Sequence, residues 1–161
     1  MGLFDFMKNK KGIVLSAPVK GECIPIGDVA DPTFAEEILG KGIAIKPADG
    51  RIYAPTDGVI STVFPTGHAV GVTTADGAEI LIHVGLDTVQ LKGQFFKIMV
   101  EADREVKKGD LLLEADLEEI RKAGYDTVTP MIICNSSDFS KIECKTEGTV
   151  EAGEEVITCV K

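Results

Sequence analysis

The sequence predicts an all-β protein, an antiparallel β-sandwich or barrel with one or two short helices. Short runs of β-forming residues recur at spacings of about ten residues, as they do in sandwiches and barrels. The 17 glycines and 7 prolines place turn signals between these runs. With 161 residues the chain has the size of one domain with one core, which we place at residues 12–161.

The predicted strands are short apolar or alternating runs that follow one another along the chain. In order they are IVLSA, GECIPI, GIAIKP, RIYAP, GVISTVF, the segments around His68 and His83, KIMVEA, DLLLEAD, TVTPMIIC and EVITCV. Two short helices interrupt them. Pro32 to Leu39 follows Asp31 as an N-cap, has a proline at its first position and stops at Gly40. A similar pattern of cap and glycine predicts a second helix over Leu117 to Ala123.

The first eleven residues, MGLFDFMKNKK, form a segment of their own. A short helix here would place its apolar side chains on one face, but so short a helix is marginal in water. We therefore expect residues 1–11 to be a flexible or weakly amphipathic tail. Weak contact with an anionic membrane surface is the alternative, because the segment combines an apolar face with lysines.

Weak internal similarity predicts a duplicated β-motif. Ala17-Pro18-x-x-Gly21 recurs as Ala54-Pro55-x-x-Gly58, and the segment that begins at Val106 recurs in outline at Val150. Each copy places a proline or glycine turn before an apolar strand. Matches this short also arise by chance in a glycine-rich β protein.

Charge and cysteine content limit the classes of partner. The formal net charge of −9 argues against nucleic acid and anionic membrane as general partners and favours a basic protein partner. Solubility alone is an equally good explanation of such a charge. The four cysteines have no zinc-finger spacing and are expected to be reduced and mostly buried. The sequence contains no secretory hydrophobic region and no apolar run of about 20 residues, so we expect a cytoplasmic protein.

The two histidines are predicted to lie together on one hairpin. His83 interrupts an apolar strand, and Asp76-Gly77, between it and His68, is a strong hairpin signal. If these two residues form the loop, His83 opposes Val70 and His68 becomes its diagonal neighbour on the same face, roughly 7–8 Å away at the backbone. A change of one residue in loop size would move the histidines to opposite faces.

Three interpretations of the histidine pair compete. The first is an ordinary core or surface role. The second is a zinc site, which needs three or four ligands, although only two histidines exist and no ligand motif adjoins them. The third is a nucleophilic imidazole assisted by a second donor and by a group that fixes its tautomer. Thr66, two residues before His68, offers a hydroxyl for that last task.

The residues around both histidines resemble a known family. The run GAEILIHVGLDTVQLKG, with TGHAVGV and GIAIKPADGRIYAPTDGVI upstream, is similar to the glucose-type IIA component of the bacterial sugar phosphotransferase system, the EIIA-Glc family. The resemblance extends from MGLFD at the start to VTPMIICN near the end. It implies an antiparallel β-sandwich of duplicated hybrid motifs.

The resemblance also implies roles for the site residues. His83 would accept a phosphoryl group on Nε2 from the phosphohistidine of HPr and pass it to a cysteine of a IIB domain. His68 would donate to the phosphate, and Thr66 would orient that histidine. Such a transfer requires alignment and donors to a loose transition state, so no metal and no cofactor are expected.

A partner face is predicted around the histidines. The resemblance assigns Asp31 and Asp87 to contact with a basic partner. An apolar rim would let the partner exclude water, and its predicted members are Phe34, Ile38, Leu39, Phe64, Leu81 and Val89.

The chain also departs from the family. Members regulated through glycerol kinase use a glutamate to complete an intermolecular zinc site, and that position corresponds to Lys141, so the resemblance does not extend to a zinc bridge. The sequence has no fused IIB or IIC segment, and we expect action in trans on a separate permease. Two alternatives remain: a zinc-dependent peptidase of related β-fold, and a non-catalytic regulatory binding module. The sequence does not select among glucose, N-acetylglucosamine, sucrose and β-glucoside permeases.

Overall fold

The computed structural model describes residues 12–161, and the predicted N-terminal tail, residues 1–11, lies outside them. Within this range the chain forms strands at almost every predicted position and two short helices. The strands are β1 (Gly12–Ser16), β2 (Gly21–Pro25), β3 (Lys41–Pro47), β4 (Arg51–Tyr53), β5 (Gly58–Val63), β6 (Ala69–Thr73), β7 (Glu79–His83), β8 (Phe96–Ile98), β9 (Glu105–Val106), β10 (Leu111–Ala115), β11 (Thr129–Ile133), β12 (Lys141–Cys144), β13 (Thr149–Val150) and β14 (Glu155–Val160). The helices are α1 (Pro32–Ala35) and α2 (Leu117–Lys122), and single 3₁₀ turns cover Ile26–Asp28, Thr88–Leu91 and Ser136–Asp138.

The strands form one large and two small antiparallel sheets. The large sheet has the order β13-β2-β3-β11-β7-β6-β5-β9, and the small sheets have the orders β1-β14-β12 and β4-β10-β8. Among residues 12–161 no sheet closes on itself, so the predicted sandwich is confirmed and the barrel alternative is wrong. β11 pairs with both β3 and β7, which places the histidine hairpin beside the centre of the large sheet.

The large sheet is buried on both faces at its centre. Because side chains alternate along a strand, Ile43 and Ile45 of β3 point into the main core between the sheets, whereas Ala44 belongs to a second cluster on the other face. Phe34 of α1 is part of that second cluster. The helix therefore covers the outer face of the sheet at the level of the histidine hairpin.

The predicted duplication is confirmed by matching backbone contacts. Val150 pairs with Gly21 at one sheet edge, and Val106 pairs with Gly58 at the other. Matching hydrogen bonds join the repeated alanines to the repeated turns: Ala17 N to Glu154 O and Ala54 N to Asp110 O, both 2.8 Å, and Gly153 N to Ala17 O at 3.0 Å and Gly109 N to Ala54 O at 2.9 Å. The short sequence matches are therefore not chance.

The first helix is shorter than predicted. Asp31 caps it as expected, because its carboxylate accepts a hydrogen bond from Thr33 N at 3.0 Å, but α1 ends at Ala35 rather than Leu39. Glu37 adopts a left-handed conformation with φ of 58°. A side chain on Gly40 would meet the carbonyl oxygen of Ile133 at 2.1 Å, so the chain must leave the helix early to pass close to β11. The second helix starts as predicted and ends one residue early, at Lys122.

No helix among residues 12–161 combines the length and the apolar character needed to cross a membrane.

Candidate functional site

The register of the histidine hairpin differs from the prediction by one residue. His83 opposes Ala69, and Val70 opposes Ile82. The loop is larger than Asp76-Gly77 alone, because it closes on Thr74, whose backbone N donates to Ala78 O at 2.9 Å and whose hydroxyl accepts from Ala78 N at 2.9 Å. The predicted pairing of His83 with Val70 is therefore wrong.

The two imidazoles nevertheless meet. Their ring centroids lie 4.7 Å apart with an interplanar angle of 80°. Both residues stand at strand ends, where regular alternation of faces stops: His68 directly precedes β6, and His83 is the last residue of β7. Gly67 and Gly85, with φ of 73° and 82°, turn the chain beside them. The predicted proximity of the two rings is confirmed. It arises from the turns at the strand ends and not from the regular sheet geometry on which the prediction was based.

His83 is held by a backbone carbonyl and an aromatic ring. Its Nδ1 lies 2.8 Å from Gly85 O, and its ring centroid is 5.0 Å from that of Phe34. A carbonyl oxygen can only accept a hydrogen bond, so Nδ1 carries the proton. In the neutral ring the lone pair is then on Nε2, the atom that can act as a nucleophile.

Burial lowers the pKa of His83 below its ordinary value of 6.5. Three interactions oppose this shift: the hydrogen bond to the Gly85 carbonyl, and the charges of Asp31 and Asp87. Because burial is the largest cause, the neutral form with a free Nε2 lone pair gains population near pH 7. The two carboxylates also place negative charge beside the ring.

His68 is less exposed to solvent than His83. It is 2% exposed, its Nδ1 lies 2.6 Å from the hydroxyl oxygen of Thr66, and its ring forms a T-shaped contact with Phe64 at a centroid distance of 5.3 Å. Burial, followed by the neighbouring His83, lowers the pKa of His68 to about 4. His68 is therefore neutral at physiological pH and can present one N–H donor and one acceptor.

The predicted partner residues differ in their exposure to solvent. Ile38, Leu39 and Val89 are exposed apolar side chains, and Ile38 is 68% exposed. Phe34 is buried beneath His83, and Leu81 is half-buried against the second cluster. The remaining members are Asp31 and Phe64, both half-buried, and Asp87, which is exposed.

Some site residues were missed by sequence reasoning. The Gly85 carbonyl orients His83, and Phe96 of β8 lies 6.5 Å from His68 between ring centroids. The glycine two residues after the histidine was visible as a turn signal, but nothing local in the sequence indicates that its carbonyl reaches back to the ring. Phe96 comes from another sheet, and no sequence signal joins it to the hairpin.

No three side chains of His, Cys, Asp or Glu converge as metal ligands within residues 12–161. Lys141, the position compared with the family glutamate, lies on the exposed strand β12 with its Nζ 3.6 Å from Glu143 Oε2.

The comparisons with known proteins decide the family. Residues 13–139 match the family model described as the phosphoenolpyruvate-dependent sugar phosphotransferase system, EIIA 1. The chain belongs to this EIIA family. It is 43% identical over 157 residues to the glucose-specific EIIA component of Buchnera aphidicola, covering 98% of this chain and 97% of that protein.

A longer relative carries the same unit within a larger protein. The β-glucoside-specific EIIBCA component of Dickeya chrysanthemi is 49% identical over 138 residues, which are 86% of this chain but only 22% of that protein. Among solved structures, glucose permease IIA from Mycoplasma capricolum superimposes with a TM-score of 0.83 at 37% identity and covers 92% of this chain and 96% of that one. This protein is therefore an EIIA component of the sugar phosphotransferase system with the β-sandwich fold of its family.

Proposed function

We propose that His83 carries the phosphoryl group, accepting it on Nε2 from the phosphohistidine of HPr and passing it to a cysteine of a IIB domain. The observation that carries this proposal is the 2.8 Å contact of His83 Nδ1 with the Gly85 carbonyl, which leaves Nε2 as the nucleophilic atom beside a second imidazole. A fixed tautomer means that no ring has to exchange its proton before reaction.

The two steps balance without a metal or an external base. In the first, the Nε2 lone pair of His83 forms a bond to phosphorus while the N–P bond of the donor breaks and returns its electron pair to the donor imidazole. In the second, the thiolate of the acceptor cysteine attacks phosphorus and the Nε2–P bond breaks. Nδ1–H remains on His83 throughout, donating to Gly85 O in both states.

His68 is proposed to bind the phosphoryl oxygens. If the Thr66 hydroxyl donates to Nδ1, the neutral ring of His68 carries its proton on Nε2 and can donate it to the phosphate. The low pKa of His68, about 4, means that this donor is neutral. A neutral donor stabilises the oxygens without locking the phosphoryl group in a strong ion pair, which suits a carrier that must release it again.

The two carboxylates support transient carriage. Asp31 and Asp87 act on His83 through their negative charge, and a phosphoryl group on Nε2 adds further negative charge nearby. Like charges raise the free energy of the phosphorylated state and favour onward transfer. The same carboxylates, with the exposed Ile38, Leu39 and Val89, are proposed to meet the basic, water-excluding face of HPr and of the IIB domain.

The acceptor is proposed to be a IIB domain of the glucose or β-glucoside class. The relatives described above carry both sugars in their names, and the β-glucoside protein combines EIIA with the B and C components in one chain. A regulatory role through phosphorylation-dependent partner binding is compatible with phosphoryl transfer, because both would use the same face.

The test is reconstitution with phosphoenolpyruvate, enzyme I and HPr, followed by mapping of acid-labile phosphate. We expect one phosphoryl group on the wild-type protein and none on His83→Gln, because an amide nitrogen cannot form a phosphoramidate. His68→Gln is the matched control, since it makes the same exchange in the neighbouring ring and should still be phosphorylated. Acid-labile phosphate on another residue of His83→Gln would refute the assignment, and an unmodified wild-type protein would refute the function.

A further inference from the structure

The carbonyl that orients His83 belongs to one of two adjacent peptide units whose C=O and N–H groups are all hydrogen-bonded. Two peptide units meet at Gly85. In the first, Val84 O accepts from the Thr88 hydroxyl at 2.6 Å, and Gly85 N donates to Val128 O at 2.9 Å. In the second, Gly85 O accepts from His83 Nδ1 at 2.8 Å, and Leu86 N donates to Asp126 O at 3.0 Å. Each peptide unit is thereby held on both sides.

Thr88 is the one side chain that contributes to this set of bonds besides His83 itself. It is fully buried, with no exposed surface, so its hydroxyl cannot meet a substrate directly. Its methyl group also packs on the glycine: a Cβ added to Gly85 would lie 2.5 Å from Thr88 Cγ2. The two branches of the threonine therefore act on the same short loop, the hydroxyl by a hydrogen bond and the methyl by contact.

We propose that Thr88 is a positioning residue, which fixes the direction of the Gly85 carbonyl and through it the Nδ1–H tautomer and the orientation of His83. The meaning of this role for phosphoryl transfer rests on the function proposed above. The tautomer itself is a property of the unphosphorylated protein and can be measured independently.

Glycine makes such a support necessary. Gly85 has φ of 82° and, with no side chain, could rotate its peptide units more freely than any other residue. If Val84 O loses its donor, a buried carbonyl is left without a hydrogen-bond partner, which raises the free energy of this conformation. A conformation in which the carbonyl turns toward another donor then becomes more favourable. Rotation of the first peptide changes the direction of the second, and the bond from His83 Nδ1 to Gly85 O weakens. Rings with the proton on Nε2, which cannot attack phosphorus at that atom, then become populated.

The two branches can be separated by substitution. Thr88→Val keeps the methyl contact and removes the hydroxyl, whereas Thr88→Ser keeps the hydroxyl and removes the methyl. Thr74→Val is the control: Thr74 is also buried and loses one bond between its hydroxyl and the backbone, to Ala78 N. Thr74 lies at the other end of the same hairpin. Five residues of strand separate that end from the histidines, a distance of roughly 16 Å.

Two measurements are made on each protein. Imidazole ¹⁵N chemical shifts report the tautomer of His83 without any partner, with His68→Gln used to assign the two rings. Single-turnover phosphorylation by phospho-HPr reports the rate. We expect Thr88→Val to lower the Nδ1–H fraction and to slow phosphorylation about fivefold, as befits one net hydrogen bond. Thr88→Ser should keep both near wild type, and Thr74→Val should lose thermal stability with the tautomer and rate unchanged.

Three results would overturn the proposal: a wild-type tautomer in Thr88→Val, the same tautomer change in Thr74→Val, or equal damage in Thr88→Ser and Thr88→Val. If Thr88→Val does not fold, Thr88→Ala takes its place with the same expectation, and an unchanged tautomer there counts against the proposal. Failure of the wild-type protein to accept phosphate would instead contradict the proposed function and would leave the comparison of tautomers intact.

Discussion

The buried histidine should make the stability of the fold depend on pH between about 4 and 6.5. His68 is 2% exposed, and in the folded protein burial and the adjacent His83 lower its pKa to about 4 from an ordinary value of 6.5. Above pH 6.5 the folded and unfolded chains both hold this ring neutral. As the pH falls below 6.5 the unfolded chain binds a proton that the folded chain does not, and the free energy of unfolding decreases.

The loss continues until the folded ring also protonates, near pH 4. The gap between 6.5 and about 4 corresponds to about 3 kcal/mol of unfolding free energy at 1.36 kcal/mol per pH unit. That is a large share of the roughly 5–15 kcal/mol typical of a domain. The lowered pKa of His83 acts in the same direction, so His68 alone does not account for the whole acid sensitivity.

Urea unfolding of the wild-type protein and of His68→Gln from pH 4 to pH 7.5 isolates this contribution. Carboxylates and His83 titrate in both proteins, so the difference between the two curves reports mainly His68. We expect that difference to change by about 3 kcal/mol across the range, in the direction that favours the variant at low pH. A flat difference, or an NMR titration of the His68 ring near pH 6.5, would refute the inference that burial keeps this ring neutral.

Two further predictions concern transfer and docking. His68→Gln should still take phosphate from HPr but pass it to a IIB domain poorly, because the proposed role of His68 is to stabilise the phosphoryl oxygens. Rapid-quench measurement of both half-reactions tests this prediction. An equal loss of rate in both half-reactions would point to a purely structural role for His68. Asp87→Lys should slow association with HPr and weaken its dependence on salt, since a steering charge is reversed. Stopped-flow binding across a salt series decides it, and unchanged rates in a folded variant would mean that HPr docks elsewhere.

Most strands could be predicted because their signal is local, an apolar run between two turns. The exceptions show where local signal ends. β12 contains only two apolar residues, Ile142 and Cys144, and both are merely half-buried. It is a strand because all of its residues, Lys141–Cys144, pair with β14, which comes later in the chain. Such pairing depends on tertiary context that propensity does not contain.

The first helix illustrates a different limit. Its start could be predicted, because the cap and the proline act within one turn. Its end could not, because it is set by the close approach of Gly40 to the backbone of β11, which is about 90 residues away in sequence. The residues released from the helix, Ile38 and Leu39, become exposed apolar side chains.

The histidines could be identified from sequence, but their chemistry is set by segments outside the hairpin. In the duplicated fold the first copy continues from β2 into α1, and the second continues from β5 into the β6–β7 hairpin. The site forms where these two unlike continuations meet, with Phe34 of α1 against His83. Phe96 of β8 stands on the other side, facing His68. Burial is the largest cause of the lowered pKa of both rings, and these two aromatic residues, distant in sequence, are among the groups packed around them. The hairpin thus supplies the two imidazoles, while burial by the rest of the fold lowers the pKa of both rings.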